Sequence, residues 1–525
     1  MASFGNVREL PGLLSLMVAN NYAEAVNKSF PEEIQTVSSQ CFELISKDYH
    51  IEKVQNDGGN LCGHYPPSLF IPWSPSSASF TAAELRSLIS QAKYARCRTR
   101  FVVPAFSYQG KNICRSSTLS VALEVYGRQV AGAAGLSAVS NSVNECNVDD
   151  KTGLEDGRTI FSRIRDDDCE LMKRFNVRYI CDLMLEYRKV KYWLPVTSSE
   201  KADPDSRYHD FEVLPLPYPG SEFFRVWRDS GYQMKGLYFD WNQPLIEVTL
   251  RPEIIPKTIL SANIDWLAYK NWDLTTITTN YLKLLLGILF EGAGGILLHC
   301  VSGWDRTPLF VSLIRCLLWA DDLAHHSLSP SEMLYCTLAY DWFLFGHKLQ
   351  TRIESGEEIL RFAFSFLGEV ASNPELSLHY GYDMIIPPDD PTPDEENPTQ
   401  KFVQVRWSPS LLEARQKRLQ DLSGLFLSLW DEIVTTAARS AMNGKVPEPG
   451  EAENTATTQP SASAPTSRRE SLTTGQPFSS SVVSQISNVV SSATALALQL
   501  ARPLVANRFG ASSEPSVISG SNVNN

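Results

Sequence analysis

The chain has 525 residues, 43% apolar and 10% aromatic, with 47 Lys and Arg against 59 Asp and Glu for a net charge of −12. This much apolar material excludes a wholly unstructured chain, and the length is that of roughly two to four ordinary domains. An acidic chain is a poor general binder of nucleic acid and is not drawn to anionic membrane by bulk charge, so contact with a phosphate-bearing surface needs a local basic patch.

In chain order, residues 1–60 read as helical, with Leu10, Leu13, Leu14 and Met17 at helical spacing. The run Leu10–Ala19, interrupted by Pro11 and Gly12, reads as a buried helix rather than a secretory leader. Gly58-Gly59 and Pro66-Pro67 break the pattern, and Trp73–Ser77 reads as a loop. Thr81-x-x-Glu84 predicts a capping box at the head of a helix. Strands are expected at Arg100–Ser107 and Val177–Leu183, a helix over Thr275–Phe290, a buried strand at Ile296–His299 and a further helix over Thr307–Ala320. This alternation predicts an α/β domain, a central sheet flanked by helices.

Residues 385–398 hold five prolines among acidic residues and read as a linker. A helix over 410–442 follows, with Ser410-x-x-Glu413 at its head. The expected division is a helical N-terminal region (1–80), a main domain (81–442) and a Ser/Thr-rich disordered tail (443–525). Two tail features stand out. Arg468-Arg469-Glu470-Ser471 has the form of a basophilic kinase site. Residues 482–504 place Val482, Ile486, Val489, Leu496 and Leu500 on one helical side against an uncharged Ser/Thr side, which suits either a lipid-packing helix or a stripe docked on the main domain.

The ten cysteines include no C-x-x-C pair, which argues against structural zinc and a disulfide scaffold and for a reduced, cytoplasmic protein without a metal or cofactor. Cys300 is different. It follows the apolar strand, Arg306 stands six residues on, and a helix begins there. In such a Cys-x5-Arg turn the backbone amides of Val301, Ser302, Gly303 and Trp304 form an anion nest, reinforced by the positive end of the helix. That field favours the thiolate, and the guanidinium of Arg306 grips two phosphate oxygens. The chemistry this implies is attack of Cys300 on phosphorus, a phosphocysteine, then hydrolysis, with no metal required.

His299-Cys-Val-Ser-Gly-Trp-Asp-Arg-Thr307 resembles the signature of the myotubularin phosphoinositide phosphatases, and the likeness extends through Asn280–Leu286, Trp319–Asp321, Ala339–His347, Tyr179–Met184 and Pro217–Gly220. It covers roughly residues 90–370. The resemblance implies a cysteine-based phosphatase fold. It further implies removal of the 3-phosphate of phosphatidylinositol 3-phosphate and phosphatidylinositol 3,5-bisphosphate. The partner would be a phosphoinositide-bearing membrane surface, reached peripherally on endosomal or autophagic membranes. It gives Asp305 the role of general acid, Trp304 a place at the pocket wall, Lys348 contact with a second phosphate and Asn263 a place near the substrate.

Against these stand plainer readings. Asp305 as a brace for Arg306 would leave Asp240, Asp265 or Asp273 as the acid, and Lys348 also reads as an exposed lysine. The seven basic residues between Arg86 and Arg115, with no acidic one among them, read equally as a solvated face or a membrane-facing patch. His299 is expected to support the loop rather than act as a base. The loop departs from most myotubularins in carrying Val301-Ser302 where they have Ser-Asp, one negative charge fewer. The alternative activities are a protein tyrosine or dual-specificity phosphatase and a non-catalytic scaffold.

Overall fold

The computed structural model describes residues 8–19, 29–72, 81–120, 156–186, 190–191, 194–195, 197–200, 206–244, 246–380 and 408–443. The elements that matter here are α1 (Leu10–Ala19), α2 (Glu32–Ile45), the antiparallel pair β1 (Ile51–Gln55) and β2 (Ser68–Pro72), α3 (Ala82–Ala92), β3 (Val103–Tyr108) and β4 (Lys111–Ser117). They continue with α4 (Asp156–Arg174), β5 (Val177–Asp182), β6 (Glu212–Pro215), α5 (Phe223–Asp229), α6 (Leu274–Glu291), β7 (Gly295–Cys300) and α7 (Arg306–Ala320). The last are α8 (Pro330–Cys336), a π-helical turn (Thr337–Phe343), α9 (Leu349–Ser355), α10 (Ile359–Glu369) and α11 (Pro409–Asn443).

The central sheet has the order β6-β5-β7-β4-β3. β7 lies in the middle, parallel to both neighbours, with Cys300 opposite Ser117 and His299 opposite Asp182. A strand paired on both edges and covered on both faces can be apolar throughout, which is why Ile296-Leu297-Leu298 reads as a run rather than an alternation. β3 alone in this sheet is antiparallel, joined to β4 by Gln109 and Gly110. Both residues have positive φ (47° and 75°), the hand that suits a two-residue hairpin turn. α6 begins at the cap Asp273, whose carboxylate accepts from Thr276 N at 2.8 Å. All 15 residues of α7 are buried, so the helix that follows Cys300 is held on every side.

The expected α/β architecture is therefore present, and the predicted strands and helices of residues 81–320 fall within a few residues of the observed ones. The capping box of Thr81 and Glu84 is also there. Two local readings change. Residues 1–60 are not helical throughout: the chain leaves α2 and pairs Ile51–Gln55 with Ser68–Pro72. The head of α11 is capped by Ser408, whose hydroxyl accepts from Leu411 N at 3.3 Å, with Pro409 as the first helical residue. Residues through Val446 cluster as one compact unit. The linker 385–398, Trp73–Ser77, Ser471 and segment 482–504 lie outside the described residues.

One buried ion pair ties the π-helical turn to α7. Arg315 meets both carboxylate oxygens of Asp341, each at 2.8 Å, and both side chains are fully buried. Removing one partner of such a pair strands the other charge without water. Asp341→Asn is expected to cost about 3 kcal/mol or more in urea unfolding. A loss below about 1 kcal/mol would contradict the pairing as described.

Candidate active site

Cys300 closes β7, and residues 301–305 turn the chain into α7. Gly303 makes this turn possible. Its φ is +68°, and a Cβ there would lie 2.7 Å from the Ser116 carbonyl oxygen. The Cys300 side chain is buried, and Sγ accepts from Gly303 N at 3.3 Å and Thr307 Oγ1 at 3.2 Å. Burial pushes the thiol up, but the Arg306 charge and the Thr307 hydroxyl and amide outweigh it and hold Cys300 below its usual value. Thr307 was not singled out from sequence, although it directly follows Arg306.

Arg306 is buried, and its Nη1 donates to the carbonyls of Leu183 at 2.7 Å and Tyr218 at 3.1 Å. These come from the segments that follow β5 and β6, so three strand ends fix this one guanidinium. Its Nε and Nη2 donate to no protein acceptor among the described residues.

Asp305 does not brace Arg306. It forms a two-pronged pair with Arg352 of α9, Nε to Oδ1 at 3.0 Å and Nη2 to Oδ2 at 2.6 Å. His347 Nδ1 stands 3.3 Å from Oδ1. Burial raises the carboxyl, but His347 and Arg352 overcome it and hold Asp305 far below the ordinary range, so the group is ionised here. The alternative acids are engaged locally. Asp240 accepts from Asn242 N, Asp265 from Leu267 N, and Asp273 from Thr276 and Gly236.

Trp304 is ringed by cations. The guanidinium of Arg98 lies 4.8 Å from the ring centroid, that of Arg100 at 5.3 Å and Lys348 Nζ at 5.1 Å. Lys348 thus stands beside the loop. Val301 is buried and Ser302 half-buried, its hydroxyl accepting from Arg98 Nη1 at 2.7 Å. Asn263 is exposed in the segment between Ile259–Ser261 and Trp266–Asn271, and no hydrogen bond links it to the loop.

Most of the basic run is not a solvated face. All seven side chains are bonded to acceptors of the fold, Arg86 at its surface and the others more deeply. Arg86 bonds Gln55 O, Lys93 bonds Asn60 O and Lys111 bonds Leu289 O. Arg96 pairs with Asp168 and Glu200, while Arg98, Arg100 and Arg115 all reach the loop of Cys300.

Beneath Cys300, His299 is fully buried between Glu200 and Asp182. Its Nε2 is 3.1 Å from Glu200 Oε2 but poorly aligned for a hydrogen bond, and Nδ1 is 3.8 Å from Asp182 Oδ1. Burial lowers the imidazole, and the two carboxylates more than reverse it, so His299 is held above its ordinary value. Among the described residues, Asp182, Glu200 and His299 form the one group with metal-ligand spacing. Arg96 stands 2.5 Å from Glu200, and its charge opposes a cation there. Two open clefts, near Arg178 and near Arg251, of about 510 and 540 Å³, are not lined by residues 300–307.

No family model matches the chain. It is 43% identical over 354 residues to the human protein named phosphatidylinositol-3,5-bisphosphate 3-phosphatase MTMR14, and 44% identical over 357 residues to the mouse protein of that name. Each match takes in 65% of this chain and 54% of the relative, so the chain spans about half the length of the curated relatives it matches. Rat myotubularin is 34% identical over 68 residues, 13% of this chain and 10% of that one. The likeness to myotubularins read from residues 299–307 is borne out.

Proposed function

We propose that this chain, a homologue of myotubularin-related phosphatases, removes the 3-phosphate of phosphatidylinositol 3,5-bisphosphate and phosphatidylinositol 3-phosphate. The observation that carries the reading is Cys300: a buried thiol held below its usual value at the start of a loop that ends on Arg306. The human and mouse relatives bear the name of the bisphosphate reaction.

In this reading Cys300 Sγ attacks phosphorus, and the bond to the inositol oxygen breaks. The loop amides and Arg306 hold the transferring phosphoryl oxygens. Asp305 protonates the leaving oxygen, then takes a proton from the water that hydrolyses the phosphocysteine. Donation needs a protonated carboxyl, which Arg352 and His347 oppose in the free protein. The acid role therefore requires that an incoming phosphate dianion draw Arg352 off Asp305. Asp305→Ala is expected to slow inositol substrates at least about tenfold more than an aryl phosphate whose leaving group departs without a proton. Equal losses on both would remove Asp305 as the acid.

Lys348 is the candidate contact for a second phosphate. Lys348→Ala is expected to reduce kcat/KM on the bisphosphate about tenfold more than on the monophosphate. Equal effects would make it an ordinary lysine.

No helix among the described residues is long and apolar enough to cross a membrane, and a peripheral approach to a phosphoinositide-bearing cytoplasmic surface, endosomal or autophagic, fits that. Phosphate release measured on short-chain phosphoinositides and phosphotyrosine peptides tests the whole reading. Release from 3-phosphorylated lipids alone supports it. Preference for the peptides would make the chain a protein phosphatase, and no release from either would make it a scaffold.

A further inference from the structure

Two of the loop-bracing arginines are unusual in their surroundings. Arg100 and Arg115 are each 1% exposed. Buried guanidiniums are normally paired with carboxylates, because an uncompensated charge away from water is costly. Three other buried arginines of this fold obey the rule: Arg96 has Asp168 and Glu200, Arg315 has Asp341, and Arg415 has Asp321. Among the described residues, Arg100 and Arg115 form no ion pair. The carboxylate closest in its influence on Arg115 is Asp341, which is bound on both oxygens by Arg315. Arg100 Nε and Nη1 are buried without a hydrogen-bond partner.

What the two arginines do reach is backbone. Arg100 Nη2 donates to Phe345 O at 2.6 Å, and Arg115 Nη1 to Asp341 O at 2.5 Å. Both also donate to the same oxygen, the Gly303 carbonyl, each at 3.2 Å. Gly303 sits in the middle of the loop between Cys300 and Arg306. A trans peptide sends its N–H opposite to its C=O. With the Gly303 carbonyl turned onto two cations, the Trp304 N–H is turned away from them, and polarisation of the carbonyl makes that N–H a stronger donor.

We propose that Arg100 and Arg115 are positioning residues for anion binding: they fix and polarise the Gly303–Trp304 peptide, and the charge that completes their environment is the phosphoryl group held on the loop. The proposal rests on the phosphatase reading above and deepens it. The two arginines act through the loop rather than by touching substrate. In the free protein the Cys300 thiolate is the one anion of the loop facing these two buried positive charges, and a bound phosphate dianion completes their counter-charge. Burial holds Arg100 below its ordinary value and pushes Arg115 down to about 10, as expected for cations that lack such a partner.

The test uses the full chain with Arg100→Met, Arg115→Met and Arg115→Lys, orthovanadate as the anion probe, and iodoacetamide as the probe of Cys300. The Met variants fill similar space without charge. They are expected to weaken vanadate binding at least about tenfold and to move the pH midpoint of Cys300 alkylation upward, while the melting temperature of the free protein stays level or rises. Vanadate is expected to raise the melting temperature of the wild type more than that of either variant. Arg115→Lys retains the charge but cannot serve both carbonyls, so it should restore the alkylation midpoint more fully than vanadate affinity.

A purely structural brace gives a different pattern: a lower melting temperature in the free protein with vanadate affinity and the alkylation midpoint within twofold of wild type. That pattern would overturn the proposal. Should the Met variants fail to fold, Arg115→Lys with unchanged vanadate affinity would overturn it by itself. A wild-type chain that neither binds vanadate nor releases phosphate would instead defeat the phosphatase reading on which the proposal stands.

Discussion

Cys300→Ser is expected to lower phosphate release from short-chain phosphatidylinositol 3,5-bisphosphate at least about a hundredfold, with folding and substrate affinity near wild type. The substitution exchanges one atom. A serine hydroxyl can accept from Gly303 N and Thr307 Oγ1 as the sulfur does, so the loop has no reason to rearrange. What disappears is an anionic nucleophile. The field of Arg306 and Thr307 that holds the thiol below its usual value is far too weak to ionise an alcohol near neutral pH. Because the thiol is depressed, its reactivity extends to lower pH than that of a free cysteine and is lost only as the pH falls through the depressed value. A serine variant that keeps more than about a hundredth of the activity would mean that another group attacks.

Arg306→Lys is expected to be nearly as damaging, reducing kcat/KM roughly a hundredfold, or about 2.7 kcal/mol at 1.36 kcal/mol per tenfold. In the proposed reading the guanidinium has three tasks at once. Nη1 is anchored by Leu183 O and Tyr218 O, the remaining nitrogens supply a planar fork for two phosphate oxygens, and the charge lowers the Cys300 thiol. A lysine ammonium is a single point charge. If it serves the two carbonyls it cannot clamp the phosphate, and if it turns to the phosphate it leaves two buried carbonyls unbonded. Both KM and kcat should worsen. Normal kcat with a raised KM would reduce Arg306 to a binding contact.

The parts of this site that were legible in sequence are the local ones. Strand β7 and helix α7 could be read because each carries its own signal within about fifteen residues, a doubly buried apolar run and a largely apolar helix, with glycines on the approach to the strand. The Cys-x5-Arg spacing needs no knowledge of the rest of the chain. The strand β1 was lost because Ile51-Glu-Lys-Val-Gln55 is short and mostly solvent-facing, and its partner enters only after a turn of 12 residues. The β3–β4 hairpin was lost because Gln109-Gly110 lacks the Asn-Gly or Asp-Gly signature of such turns.

The electrostatics of the site were hidden for another reason. Seven basic residues between Arg86 and Arg115 look like a surface when no partner is known. Their acceptors lie far along the chain: Ser302 is 204 residues from Arg98, and Phe345 is 245 from Arg100. The sequence leaves Asp305 open as an acid or a brace for its neighbour, but its actual partner, Arg352, is 47 residues away within α9. Spacing motifs report what one segment can do, whereas charge compensation is settled between segments.

The claim on which everything else depends is that Cys300 carries the phosphoryl group during turnover. Mixing the wild-type chain with short-chain phosphatidylinositol 3,5-bisphosphate, quenching within the first turnover and mapping the modified peptide by mass spectrometry tests it directly. The account predicts one phosphoryl group on Cys300, absent in Cys300→Ser. Phosphate released in the same mixture with Cys300 unmodified at every quench time would contradict it.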